Sequence, residues 1–289
     1  MGKGEKQNAS LFSIFKHIQR WKYETKSCFG RYFLFGLGVF LYPTISNWLA
    51  TRAHYSEISS YDKNIKALQK KEVERREKEA AEYNKQVHTS TKTFTDPFSE
   101  KKSNHQAYAD ALNLGDVMGY IEISKINIKL PIYQGTSEEV LSRGIGHLDF
   151  SSLPIGGENT HTILTGHRGL PSAKLFTDLD KLSEGDLFYI HSLDKVLAYK
   201  VDQIKVVLPH ETDDLQIVEN KDYTTLITCT PYGVNTNRLL VRGVRVELNE
   251  KEKQKVSTEI FIFNKWTVIV PILLLCVFLV VIYKKRLTR

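Results

Sequence analysis

The chain has 289 residues and a formal charge of +7, enough length for one sizeable domain with appendages. Residues 1–31 hold seven Lys/Arg against two Glu, and residues 284–289 hold four Lys/Arg and no acid, so everything between them carries −2. Basicity confined to the tails argues against a nucleic-acid-binding groove, and no nucleic-acid partner is expected.

Taken in order, residues 1–31 read as a basic cytoplasmic tail. No charged residue lies between Arg31 and Arg52. That interval is long enough to cross a hydrocarbon core as a helix, so 32–51 is a predicted transmembrane helix or signal anchor. A cleaved leader is the alternative, but Trp48-Leu49-Ala50 is a poor small-residue cleavage site. Ile58, Tyr61, Ile65 and Leu68 recur at three- and four-residue steps, which argues for an amphipathic helix. It runs into the mixed charges of Lys70 to Glu79, a solvated face with same-helix ion pairs. Residues 52–88 are therefore expected to form a helical stalk that lifts the domain off the membrane.

Residues 89–115 read as a polar loop followed by a helical region, with a turn at Asp96-Pro97. Phe94 and Phe98 lack periodic partners; the plain reading has them tuck against the nearest surface, and the alternative has an acid and an aromatic of this loop plug a pocket. From Gly119 the pattern becomes β. Ile121 and Ile123 alternate, then Ile126, Ile128, Leu130 and Ile132 alternate in the opposite phase after Ser124-Lys125, which marks a turn or bulge. Further strands are predicted at 162–165, 187–190, 196–201, 204–208, 225–229 and 241–248, with a short helical insert at 171–184. Many short strands separated by turn signals suggest a closed barrel or sandwich over 116–250. Residues 251–265 follow as a juxtamembrane linker, 266–283 as a second transmembrane helix and 284–289 as a second basic tail. Lys/Arg flank both spans on one side, so both termini are expected in the cytoplasm and the domain outside.

Cys28 and Cys276 then lie in or beside the spans, leaving Cys229 as the external cysteine. It has no external cysteine to pair with and cannot build a cysteine-based zinc site. It sits at the end of the strand Thr225-Leu226-Ile227-Thr228-Cys229, before the break at Pro231-Tyr232-Gly233, and Arg238 enters the returning strand. A thiol beside a guanidinium can be held as thiolate, the nucleophilic form. A buried core cysteine is the bland alternative. His167 follows another strand and is enclosed by Gly166 and Gly169 in Thr165-Gly166-His167-Arg168-Gly169. Thiol acyl chemistry needs a proton donor for the leaving group and a positive group for the developing oxyanion, roles that suit His and Arg. Arg238 and Arg242 share strand parity and could share a face, while Arg168 and Arg245 are also near in sequence. No zinc, phosphate-loop or nucleophile-elbow motif is present.

Thr225-Leu226-Ile227-Thr228-Cys229 resembles the TLxTC signature of sortases, with Arg238 at the family's arginine position and Thr165-Gly166-His167-Arg168-Gly169 similar to its histidine motif. Asp96-Pro97-Phe98 resembles the lid motif of class C sortases, which polymerise pilins on Gram-positive bacteria, and the second span is similar to that class. The resemblance implies a mainly β fold, an eight-stranded barrel with an N-terminal helical and lid segment and a transmembrane helix at each end. It implies a cysteine transpeptidase that needs no cofactor. Cys229 would attack the Thr carbonyl of an LPxTG-like sorting signal, His167 would protonate the leaving amine, and Arg238 would stabilise the oxyanion or position the substrate. A pilin lysine would resolve the thioester, and Asp96, Pro97 and Phe98 would form a lid, Asp96 paired with Arg238 and Phe98 over Cys229. The implied partners are pilin subunits and the membrane bilayer. The alternatives are a sortase that anchors proteins to peptidoglycan and a non-catalytic membrane-tethered β domain.

Overall fold

The computed structural model describes residues 4–90, 94–98, 112 and 114–248. The predicted linker at 251–265, span at 266–283 and tail at 284–289 lie outside the described residues, as does most of the 89–115 segment. The described residues divide into two compact units between Ile45 and Ser46.

Helix α1 (Gly4–Ala67) runs through the predicted first span. Among the described residues, no helix is long and apolar enough to cross a membrane. The last residues of the 32–51 stretch are committed to the domain: Asn47 Oδ1 accepts from the Lys174 N–H at 2.8 Å, and Ala50 packs on the main core.

After a break at Leu68-Gln69, helix α2 follows (Lys70–Thr89). The two helices do not stand clear as a stalk. Ile58 and Tyr61 of α1 pack with Val117, Tyr120 and Tyr133, and Val73 and Ala80 of α2 pack with Met118, Leu153 and Leu193. The mixed charges of α2 stay on its outer side, where Arg75 pairs with Glu72 and Glu79.

Eight strands close into a barrel: β1 (Val117–Ile123), β2 (Ile128–Gln134), β3 (Ile145–His147), β4 (Thr160–Thr165), β5 (Leu187–Ser192), β6 (Lys195–Val207), β7 (Asp222–Thr230) and β8 (Asn237–Val246). Their order around the barrel is β1-β2-β3-β4-β7-β8-β6-β5. The β2–β3 and β4–β7 pairs are parallel, and the others are antiparallel. The short helix α3 (Glu138–Arg143) leads into β3; Ser137 caps it by accepting from the Val140 N–H.

Alternation sends Ile121, Ile132, Leu164, Phe188, Ile190, Leu226 and Val241 into the barrel core. β1 is buried on both faces, because its outward residues lie under α1. There Glu122 is fully buried between Lys129 at 3.4 Å and His191 at 3.6 Å.

Several sequence expectations change in detail. The phase switch after Ile123 is a single 3-10 turn, closed by Asn127 in the left-handed region (φ 53°). The strands predicted at 196–201 and 204–208 are one strand, β6, with a register shift between Val201 and Gln203. A bulge there resets which residues face inward, and sequence alternation alone reads that reset as a break. The 171–184 insert is turns with one 3-10 turn at Leu179–Lys181.

Candidate active site

Three strand ends converge at one rim of the barrel. Cys229 and Arg238 are register partners on β7 and β8, which puts their Cα atoms about 5 Å apart. Alternation turns both outward, with Ile227 and Leu240, while Leu226, Leu239 and Val241 point into the core.

The histidine arrives from the other side of β7. β4 and β7 run parallel with Thr165 opposite Ile227. The pairing carries past the strand end, since the Gly166 N–H donates to the Ile227 carbonyl at 3.0 Å and Thr228 Oγ1 donates to the Gly166 carbonyl at 2.7 Å. The same offset brings His167 level with Cys229. Gly166 is required by the close approach: a Cβ there would lie 2.7 Å from Ile145 and 2.8 Å from Phe176. β7 therefore carries the thiol in the middle, with the imidazole on one flank and the guanidinium on the other.

The groove is covered. Arg238 Nε and the Nη2 nitrogen donate to the two Asp96 carboxylate oxygens at 2.8 and 2.7 Å. This is a bidentate fork, the geometry in which guanidinium–carboxylate pairs are strongest. Asp96, Pro97 and Phe98 form a turn with the Phe98 N–H 3.5 Å from Asp96 Oδ1. The Phe98 ring centroid lies 5.6 Å from that of His167 and 4.9 Å from the Arg238 guanidinium. Phe98 thus stands between the two residues that flank Cys229. Phe94 and Phe98 both pack on the apolar cluster of Leu148, Ile163, Leu215, Ile227 and Leu240.

Cys229 is 7% exposed. Burial pushes its thiol above the usual range, Arg238 pulls it back down, and the Asp96 carboxylate pushes it up again. With Asp96 in place, the Arg238 guanidinium is paired with the carboxylate, and the balance at Cys229 favours the thiol over the thiolate.

The other arginines are separately engaged. Arg242 shares the outer face with Arg238, but four strand residues place it about 13 Å along the strand. It is paired with Asp202 at 2.9 and 3.1 Å and lies 4.3 Å over the Tyr223 ring. Arg245 lies 5.8 Å from the Tyr199 ring.

Three contacts had no signal in the sequence pattern. Glu138 Oε2 lies 3.2 Å from His167 Nε2, and Arg168 reaches Thr230 Oγ1 and Asp180 Oδ2. All three cross separations of 12 residues or more, which periodicity does not register. Among the described residues, no group of three His, Cys, Asp or Glu side chains is arranged to hold a metal ion.

A closed β-barrel with a thiol, an imidazole and a guanidinium on adjoining strand ends has the parts of a thiol-dependent acyl-transfer enzyme. The sortase-domain profile matches residues 121–246. Sortase D of Bacillus subtilis is 30% identical over 161 residues, which cover 55% of this chain and 75% of that protein. Sortase A of Streptococcus agalactiae is 27% identical over 208 residues, covering 71% and 77%. Among solved structures, sortase C of Streptococcus pneumoniae is 46% identical with a TM-score of 0.65, covering 68% of this chain and 98% of that one. Sortase C1 of GBS pilus island 1 is 43% identical with a TM-score of 0.64, covering 68% and 94%. The chain belongs to the sortase family, the cysteine transpeptidases, and its structural neighbours are class C sortases.

Proposed function

We propose that this sortase polymerises pilin subunits. The Cys229 thiolate attacks the Thr carbonyl of an LPxTG-like sorting signal. The tetrahedral oxyanion is stabilised by Arg238. His167 gives its proton to the departing amine as the C–N bond breaks, leaving a thioester on Cys229. A lysine amine of the next pilin attacks that thioester and gives up a proton to His167, and the thiolate leaves as the isopeptide bond forms.

The observation that carries this reading over wall anchoring is the covered groove, with Asp96 forked onto Arg238 and Phe98 between His167 and Arg238. The likeness to a pilus-island sortase and to a sortase C described for pilin substrate specificity supports it. Asp96, Pro97 and Phe98 act as a lid that must lift before substrate reaches the thiol, lowering apparent affinity by the open fraction. We further infer that the enzyme works at the membrane, with the barrel outside. The uncharged runs at 32–51 and 266–283 and the basic residues beside them support this, as do the exposed Tyr32, Phe35, Val39 and Phe40 of α1.

The test is intact-mass measurement of the full chain incubated with a peptide carrying such a signal. Wild type should gain the mass of the fragment ending in Thr, and Cys229→Ala should gain nothing. Adding a pilin domain should discharge the adduct onto a lysine. Discharge only onto a cell-wall peptide amine would instead support peptidoglycan anchoring.

A further inference from the structure

We propose that Arg168 is a positioning residue that sets where His167 stands relative to Cys229. The proposal rests on the reading of His167 as the proton donor. His167 lies beyond the end of β4, where no ladder holds its backbone on both sides. What fixes it is a clasp built around its neighbour.

The Arg168 guanidinium is almost wholly buried and reaches two other segments. Nη1 donates to Thr230 Oγ1 at 3.1 Å, one residue beyond Cys229, and Nη2 donates to the Asp180 carboxylate in the 171–184 insert. Backbone contacts complete the clasp. The Phe176 N–H donates to the His167 carbonyl at 3.1 Å, and the Gly169 N–H donates to Thr177 Oγ1 at 3.2 Å. Gly169 adopts φ +82°, and a Cβ there would lie 3.1 Å from the Tyr232 ring, in the loop after Cys229. The segment carrying the imidazole is thereby bound to the segment carrying the thiol.

Stability alone is a weak reason for this arrangement. Burying a guanidinium carries a desolvation penalty that its ion pair often only offsets. Arg168 also leaves its Nε buried with no hydrogen-bond partner among the described residues. What the contact does supply is a fixed offset between two strand ends whose side chains must act together. Displacement of a reacting group by about 1 Å can cost on the order of 100-fold in rate.

The test compares full-length wild type, Arg168→Met, Arg168→Lys, Thr230→Val and His167→Ala. Acylation by a sorting-signal peptide is followed by intact mass, and Cys229 alkylation by iodoacetamide is followed in parallel. Alkylation needs the thiol but no proton for a leaving amine. Arg168→Met should slow acylation at saturating peptide by about 10- to 100-fold. Its KM, alkylation rate and melting temperature should stay close to wild type. Arg168→Lys can keep one of the two contacts and should fall between. Thr230→Val should slow acylation in the same direction, and adding it to Arg168→Met should cost little more. Parallel loss of acylation, alkylation and melting temperature would reduce Arg168 to a structural ion pair. Unchanged acylation in Arg168→Met would overturn the proposal. Unchanged acylation in His167→Ala would instead remove the proton-donor reading on which it rests.

Discussion

At the scale of single residues, the chemistry of Cys229 is set by three neighbours pulling in different directions. Burial and the Asp96 carboxylate both disfavour the thiolate, and Arg238 favours it. Asp96→Ala removes a negative charge and frees the Arg238 guanidinium, so the thiolate should form at lower pH. The alkylation profile of Cys229 should move to lower pH in this variant. The rate at neutral pH should rise by up to about tenfold for each pH unit that the profile moves. A superimposable profile would sink the closed-groove reading. Cys229 and His167 stand beside local punctuation, the Pro231-Tyr232-Gly233 break and Gly166, whereas Arg238 is told from Arg242 only by its match to the sortase motif. The partners of Arg168 and His167 carry no such mark. Thr230, Asp180 and Glu138 meet them across separations of 62, 12 and 29 residues, and no local pattern encodes such meetings.

At the scale of elements, α1 is fastened to the barrel through a few buried polar contacts within its apolar stripe. The Tyr61 hydroxyl donates to the Met118 carbonyl at 3.2 Å and accepts from the Leu193 N–H at 2.8 Å. Tyr61→Phe leaves both backbone groups buried without their partner and should cost about 1–3 kcal/mol in urea unfolding. A loss no larger than that of an exposed substitution would mean that water reaches the site. The apolar spacing of Ile58, Tyr61, Ile65 and Leu68 announced that one face of this helix would be covered. It did not say by what, and a stalk and a belt have the same periodicity. The strands behave similarly. Alternation located most of them, but β3 is three residues long with one apolar side chain, Ile145. It exists because its parallel pairing with β2 and antiparallel pairing with β4 close the barrel.

At the scale of the whole molecule, histidines buried in neutral form make the fold sensitive to acid. His161 lies in β4 between the Gln216 carbonyl at 2.8 Å and Thr225 Oγ1 at 2.7 Å. A carbonyl can only accept, so Nδ1 carries the proton and Nε2 accepts from the hydroxyl. Burial pushes His161 from 6.5 down to about 4. Above the ordinary value both folded and unfolded chains hold it neutral. As pH falls below that value, the unfolded chain takes a proton that the folded one refuses, and stability is lost until the folded group titrates near 4. His161 alone should cost about 2 kcal/mol between pH 7 and pH 5. Buried His147 and His54 act in the same direction. Urea unfolding at the two pH values should show a smaller difference in His161→Gln than in wild type. An equal difference in both would assign the acid sensitivity to other groups.

What the sequence determined by itself was local. Residue type and period-two alternation locate most of the strands, and the TLxTC and His-Arg motifs mark the candidate reactive positions. Tail composition isolates the basic charge. The tertiary structure decided everything that depends on which segments meet: the closure of eight strands, the packing of Ile58, Tyr61, Val73 and Ala80 against the barrel, and Asp96 on Arg238. It also decided that the uncharged stretch at 32–51 would give its last residues to the domain. The division follows from range. Propensity and alternation act over a few residues, whereas barrel closure, burial of a charged pair and the state of a thiol depend on neighbours tens to more than a hundred residues away.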